Sequence, residues 1–234
     1  MEDIMKISLK KLFIDYIPMA LAAALIVTFA IINKQSFIKT LPTLVTLVVQ
    51  ILSIRANRYA FLIGGTNAML YCVAAYQEGL YFSIMSNILI STPLQYLSFI
   101  MWNKKKSERD ARKTQLRVLK PCSRIAIIVA TLIAWIPFYF LCRSFFTGDL
   151  VVLDSLVFVW SITVSLLAAF RYVDSQYLNI LACIAGIYMW VIICMSTPSN
   201  LNYLIISFYN LFMVSKASVN WTVQYLNDKK AKEY

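Results

Sequence analysis

The side chains with most chemical promise in this chain are uncharged amides, set at helical spacing inside long apolar runs. Asn67 and Tyr71 stand four residues apart, on one helix face. Asn87, Ser91 and Gln95 repeat every four residues and draw a polar stripe along the next run. Gln50, Asn179 and the neighbours Tyr209 and Asn210 complete the set. An amide both donates and accepts, so a group of amides suits a neutral ligand with ring amides and sugar hydroxyls. Within a membrane each such group is costly unless paired or wetted, which makes it a pointer to a pathway. The competing reading is glue: membrane helices also pack through Asn, Gln and Ser with no ligand present. Asn67, Asn87, Ser91 and Asn210 fall at one depth, half-way along their runs. Together they are expected to hydrogen-bond a substrate, with Tyr71 and Tyr209 flanking it and Gln95 and Asn179 at hand.

Other chemistry is excluded by what is missing. Histidine is absent, which removes a Cys–His nucleophile and an imidazole metal site. The five cysteines, Cys72, Cys122, Cys142, Cys183 and Cys194, are odd in number, lack CxxC spacing and read as small apolar residues. The carboxylates Asp15, Glu78, Asp149, Asp154 and Asp174 fall at or near the ends of apolar runs. Ion coupling commonly relies on an embedded Asp or Glu, so uncoupled movement is expected. Lys216 is the one charge inside a run, near its end, where it can snorkel. A retinal Schiff base is rejected because Arg171-Tyr172-Val173-Asp174 falls in a loop before the penultimate run. Without a Ser/His, Cys/His or paired-carboxylate constellation, no enzyme activity, cofactor or metal is expected.

These residues must be positioned by membrane helices. The chain has 234 residues, 60% hydrophobic and 14% charged, with mean hydropathy +0.69. In lipid each apolar run must satisfy its own backbone, hence all-α. Eight spans are read at 14–33, 41–56, 59–77, 80–102, 123–143, 150–170, 176–196 and 201–223. Breaks such as Glu78-Gly79, Thr147-Gly148-Asp149 and Thr197-Pro198-Ser199-Asn200 separate them. Pro42 opens the second span and Pro93 follows the polar stripe, each either a hinge or a static kink. With the amino end in the cytoplasm, 18 of the 22 basic residues fall on the cytoplasmic side. That bias favours eight spans with both termini inside a cell membrane. The net charge of +11 belongs to span ends and not to a nucleic-acid groove. The basic stretch from Lys104 to Arg124 reads as a topogenic linker, with docking to anionic lipid as the alternative. Trp102, Trp221 and Tyr225 read as interfacial belt, whereas Trp135, Trp160, Tyr188 and Trp190 lie deeper.

Spans two to four and six to eight read as two copies of one unit. Arg55 pairs with Arg171, Asn87 with Asn210, and Trp102 with Tyr225. Residues 1–39 then form an extra helix, 40–103 the first three-helix repeat and 104–145 the linker with its helix. Residues 146–226 form the second repeat and 227–234 a tail. Parallel repeats of this kind occur in transporters, with the substrate site between them.

This organisation resembles the PnuC family of vitamin transporters, whose core is related to the SWEET sugar transporters. The resemblance is carried by Gly65-Thr66-Asn67-Ala68-Met69-Leu70-Tyr71, then Gly79-Leu80-Tyr81, Asn87 and Trp102-Asn103-Lys104-Lys105, with Ala169-Phe170-Arg171 in the second half. It covers roughly residues 40–228. Where that family's nicotinamide riboside carriers place a WxxxWxxxN pattern, this chain has Ser175, Asn179 and Cys183. The resemblance implies transport of a small neutral or cationic B-vitamin or nucleoside-like compound, with trapping inside by a cytoplasmic kinase. Expected partners are the small-molecule substrate and the lipid bilayer, with a homo-oligomer left open. The alternative is a membrane substrate-binding subunit of an ATP-driven vitamin importer.

Overall fold

The computed structural model describes residues 2–77, 84, 87–103, 115–145, 151–196 and 201–230, with the side chains of 2–15, 39, 74–77, 154 and 196 set aside. Among the described residues all regular structure is helical. The helices are α1 (Glu2–Ile32), α2 (Phe37–Ile54), α3 (Tyr59–Gln77), α4 (Thr92–Asn103), α5 (Pro121–Phe145), α6 (Val151–Ala169), α7 (Asp174–Ser196) and α8 (Leu201–Lys230). By length and composition α5, α6 and most of α7 can each cross a bilayer, and Tyr16–Ile32, Thr40–Ile54 and Tyr59–Val73 are shorter apolar stretches. The expected breaks at Glu78-Gly79, at 147–149 and at 197–200, and the linker from Lys104 to Thr114, lie outside the described residues.

A π-helical turn, Asn87–Ser91, leads into α4. Its cause is local. Pro93 has no N–H to give the carbonyl one turn back, and its ring crowds that carbonyl, so the helix widens just before it.

Helix neighbours define a ring. α2 packs on α3, α3 on α4, α4 on α6, α6 on α7, α7 on α8, and α8 returns to α2. α1 lies outside, against α2 and α8, while α5 packs on α6. The core gathers where α1, α2 and α8 meet, around Ile26, Leu47, Ile51, Ile206 and Met213. On α8 the buried positions Ile206, Tyr209, Met213, Ala217 and Trp221 keep a three- and four-residue spacing, one inward stripe.

Three helices end in the same way without glycine. Lys34, Ala56 and Arg171 adopt positive φ of 50°, 48° and 68°. After α2, Ala56 N–H donates to Ser53 O (2.9 Å) and Asn57 N–H to Leu52 O (3.1 Å). After α6, Arg171 N–H donates to Ala168 O (2.9 Å) and Tyr172 N–H to Leu167 O (2.9 Å). Both are Schellman caps, which satisfy the last carbonyls of a helix. They superpose in sequence with Ala56 opposite Arg171, one residue from the expected Arg55–Arg171 pairing.

The two tryptophans are not a belt. Trp102 and Trp221 are 0% and 1% exposed. The Trp102 indole N–H donates to Ala168 O at 2.7 Å, and that of Trp221 to Ser53 O at 2.8 Å. Ser53 and Ala168 are the matching positions of the two caps. Each indole therefore reaches from α4 or α8 to the end of α6 or α2, and the rings meet at 5.2 Å. Trp221 thus makes the bond that mirrors that of Trp102.

The described linker closes the same end. Arg117 N–H donates to Arg171 O and Val173 N–H donates to Arg117 O, both at 2.9 Å. Leu116, 4% exposed, joins the cluster containing Trp102 and Trp221. Asp174 accepts from Leu119 N–H at 2.8 Å and pairs with Arg124 at 2.7 Å. Arg171 is buried, and burial, helped by the charge of Arg117, pushes its guanidinium pKa down.

Trp102→Phe and Trp221→Phe keep a ring and delete the N–H. Each is expected to lower stability by ~1 kcal/mol. Because the rings touch, the double variant should depart from additivity by ~0.5 kcal/mol or more. Thermal unfolding of the four proteins in detergent measures both effects.

Candidate functional site

Inside the ring, one or two turns above the tryptophan pair, lies a cavity of about 160 Å³. Five of the six ring helices line it. α2 contributes Val49, Gln50 and Ser53; α3 contributes Ala60 and Phe61; α4 contributes Leu94, Gln95 and Ser98. α6 adds Val164, Ser165 and Ala168, and α7 adds Gln176 and Asn179. No lining side chain is charged. When the Schellman caps are aligned, the lining falls into pairs: Val49 with Val164, Gln50 with Ser165, Ser53 with Ala168, and Phe61 with Gln176. The cavity thus sits where the two halves of the chain face one another.

Four amides and three hydroxyls meet an aromatic wall here. Phe61 stands edge-on to Trp102 with centroids 4.7 Å apart, which fixes its ring. Gln176 is 6% exposed, and its Oε1 is buried without a hydrogen-bond partner among the described residues. A buried acceptor left unsatisfied costs ~1–3 kcal/mol. An amide donor from a ligand would remove that cost. Gly64 lets α3 approach α4 closely, since a Cβ there would stand 3.1 Å from Gln95 Oε1.

Of the expected site residues, Gln95 and Asn179 line this cavity, together with Gln50. Asn67 lies farther along the ring. Its Nδ2 donates to Pro42 O (3.1 Å) and Thr46 Oγ1 (3.0 Å), a tie between α3 and α2. Its Oδ1 is buried and unpartnered, as are Asn210 Oδ1 and Thr92 Oγ1, among the described residues. Thr46 stands seven residues before Ser53, so this second polar level is about 10 Å away along the helix axis. Tyr71 and Asn87 are half-buried and engaged with neighbours. Ser91 ends the π turn, half-buried. Tyr209 is 6% exposed and donates to Leu47 O at 3.3 Å, holding α8 on α2. Sequence reasoning passed over Ser53, Phe61, Ser98, Ser165 and Gln176. Only the rotational setting of each helix distinguishes them from other polar or aromatic residues near span ends.

The arrangement of helices has a known counterpart. The nicotinamide mononucleotide transporter family matches residues 36–223, most of the chain. The chain belongs to that family. It is accordingly a membrane transporter, all-helical in build. Among solved structures, the crystal structure of the vitamin B3 transporter PnuC superposes with a TM-score of 0.79. That comparison covers 92% of this chain and 93% of the other at 19% identity, a likeness of fold. No curated protein matches the sequence.

In this member of the nicotinamide mononucleotide transporter family, Gly64→Ala presses on the flexible end of Gln95 and not on backbone. A helical Gly→Ala change itself favours the fold by ~1 kcal/mol. The melting temperature is therefore expected to hold or rise. Ligand-induced stabilisation should fall, because the Gln95 amide turns within the cavity. Thermal-shift titrations of both proteins check the split.

Proposed function

We propose that this chain carries a nicotinamide riboside-type vitamin, a small neutral or cationic nucleoside, across the membrane without ion coupling. The observation that carries this reading is the uncharged amide cavity between the two halves, with its one aromatic wall. A pyridine carboxamide offers an amide to Gln50, Gln95, Gln176 and Asn179, and a flat ring to Phe61. A cationic ring gains a further attraction from an aromatic face. Sugar hydroxyls would reach the unpartnered oxygens of Asn67, Thr92 and Asn210 farther along the ring. A phosphate is a poor guest, because anion recognition calls for Arg, Lys or grouped N–H donors. The family's name includes a mononucleotide; the lining of this cavity favours the dephosphorylated nucleoside.

Two parallel three-helix units, 40–103 and 146–226, supply the mechanism in this reading. Support comes from the matched Schellman caps and from the reciprocal indole bonds, which make each unit's third helix the partner of the other's first. Rocking of one unit against the other would open the cavity alternately to each face. At about 160 Å³ it is smaller than common ligand pockets of ~300–1,000 Å³, so the cycle must enlarge it. The basic end, where α1 begins and α8 finishes, is assigned to the cytoplasm by its positive charge. Net uptake then depends on a cytoplasmic kinase that traps the product.

Uptake by the purified chain in liposomes tests this directly. Nicotinamide riboside should enter without an imposed proton or sodium gradient, and nicotinamide mononucleotide should not compete. Ligand-induced stabilisation should be lost in Asn87→Ala and Asn210→Ala while both still fold. A chain that binds the nucleoside but moves none would be the capturing subunit of an ATP-driven importer, and the carrier reading would be withdrawn.

A further inference from the structure

Outside the ring, a second cavity of about 470 Å³ opens at the basic end, between the linker, α5, α7 and α8. Its volume lies in the usual range of ligand sites, ~300–1,000 Å³. It exists because α5 packs on α6 and makes no comparable contact with α7 or α8 among the described residues. The wedge left open has an apolar bed that includes Ile127, Ile128, Leu178 and Leu226.

Its charged groups gather at the rim. The Asp174 carboxylate is already engaged, by Leu119 N–H at 2.8 Å and by Arg124 Nε at 2.7 Å. The Arg124 side chain nevertheless stays 49% exposed, and Arg117 and Lys120 are exposed on the adjoining linker. Arg124 and Asp174 are the charged lining residues, and Arg117 and Lys120 flank the lining Val118 and Leu119 in sequence, so lining and flanking linker residues together hold three cations to one carboxylate. The outward face of α5 carries exposed Ile125, Val129 and Ile133, a surface for hydrocarbon. An apolar bed that opens toward lipid and a cationic rim at the level of the headgroups match an anionic amphiphile. A soluble anion would satisfy the rim and leave the bed unfilled.

We propose that this cavity is a binding site for an anionic phospholipid, its acyl chain lying on the bed between α5 and α7 and its headgroup at Arg117, Lys120 and Arg124. The site depends on the membrane placement of the chain and is independent of which vitamin it carries. Val118 and Leu119 form one wall, so a bound lipid braces the linker that seats Leu116 against the tryptophan pair.

The test uses the full chain in a neutral detergent, titrated with phosphatidylglycerol, phosphatidylcholine or soluble glycerol phosphate, with thermal unfolding as the readout. Phosphatidylglycerol alone should raise the melting temperature. Ile128→Trp, which fills the bed, should remove that shift. Arg117→Gln combined with Lys120→Gln alters only exposed side chains and leaves the backbone bonds of Arg117 intact. It should weaken phosphatidylglycerol about twenty-fivefold, from roughly fivefold per basic residue, and keeps the test open if Ile128→Trp does not fold. Equal shifts with both phospholipids, a comparable shift with glycerol phosphate, or a full phosphatidylglycerol response in the variants would overturn the site.

Discussion

The structure depends on two indole N–H groups exchanged between its halves. A helix end leaves carbonyls without intrahelical partners, and in a dry interior those carbonyls need donors from elsewhere. Here each of two equivalent carbonyls, Ser53 O and Ala168 O, takes one donor from its own cap and a second from the opposite unit's tryptophan. The exchange fixes which helices are neighbours: α8 must lie on α2, and α4 on α6. Once those two contacts are set, the six helices close into a ring and the space between α2, α3, α4, α6 and α7 becomes an interior. The cavity follows from the crossing contacts.

Amides line that interior from both halves, Gln50 and Gln95 from the first and Gln176 and Asn179 from the second, and Phe61 adds a ring on the first. Phe61 and Gln176 occupy matching places, as do Gln50 and Ser165. Unlike side chains at matching places give the cavity an asymmetric lining. Keeping charge out of the lining has a second consequence. A charged side chain there would be costly in each conformation where the cavity is dry, whereas amides tolerate both wet and dry states through their own pairings.

Much of this was legible in the sequence, and the limits have physical causes. The helices and their number follow from run length, because lipid forces the backbone to pair with itself. Gln50, Gln95 and Asn179 were recognisable as amides embedded in apolar runs. The helix rotations were not legible, so the sequence did not show that Asn67 and Tyr209 also tie α3 and α8 to α2. Ser53 and Gln176 sit near helix ends, where polar residues are ordinary, and nothing local marks them as interior. The caps were hidden because their left-handed positions hold Lys34, Ala56 and Arg171 in place of glycine. The tryptophans misled for a related reason. A Trp one turn from a span end can face headgroups or a partner helix, and only the carbonyl it meets decides.

The linker is tied unequally to the two halves of the chain. Leu116 is seated in the cluster beside Trp102 and Trp221, Arg117 pairs through its backbone with the α6–α7 turn, and Asp174 clasps both Leu119 and Arg124. All of these bonds fall on the second unit or on the shared tryptophan layer. The α2–α3 turn is held differently: Asn57 Oδ1 accepts from Tyr59 N–H at 3.0 Å, while Arg55 reaches Tyr16 on α1. At the basic end the linker is thus tied to the α6–α7 turn and the α2–α3 turn to α1, and the indole bonds join the two sides. Those bonds are few and individually modest, roughly 1 kcal/mol each. In the rocking cycle proposed above, bonds of that size could be broken and remade without unfolding the helices they join.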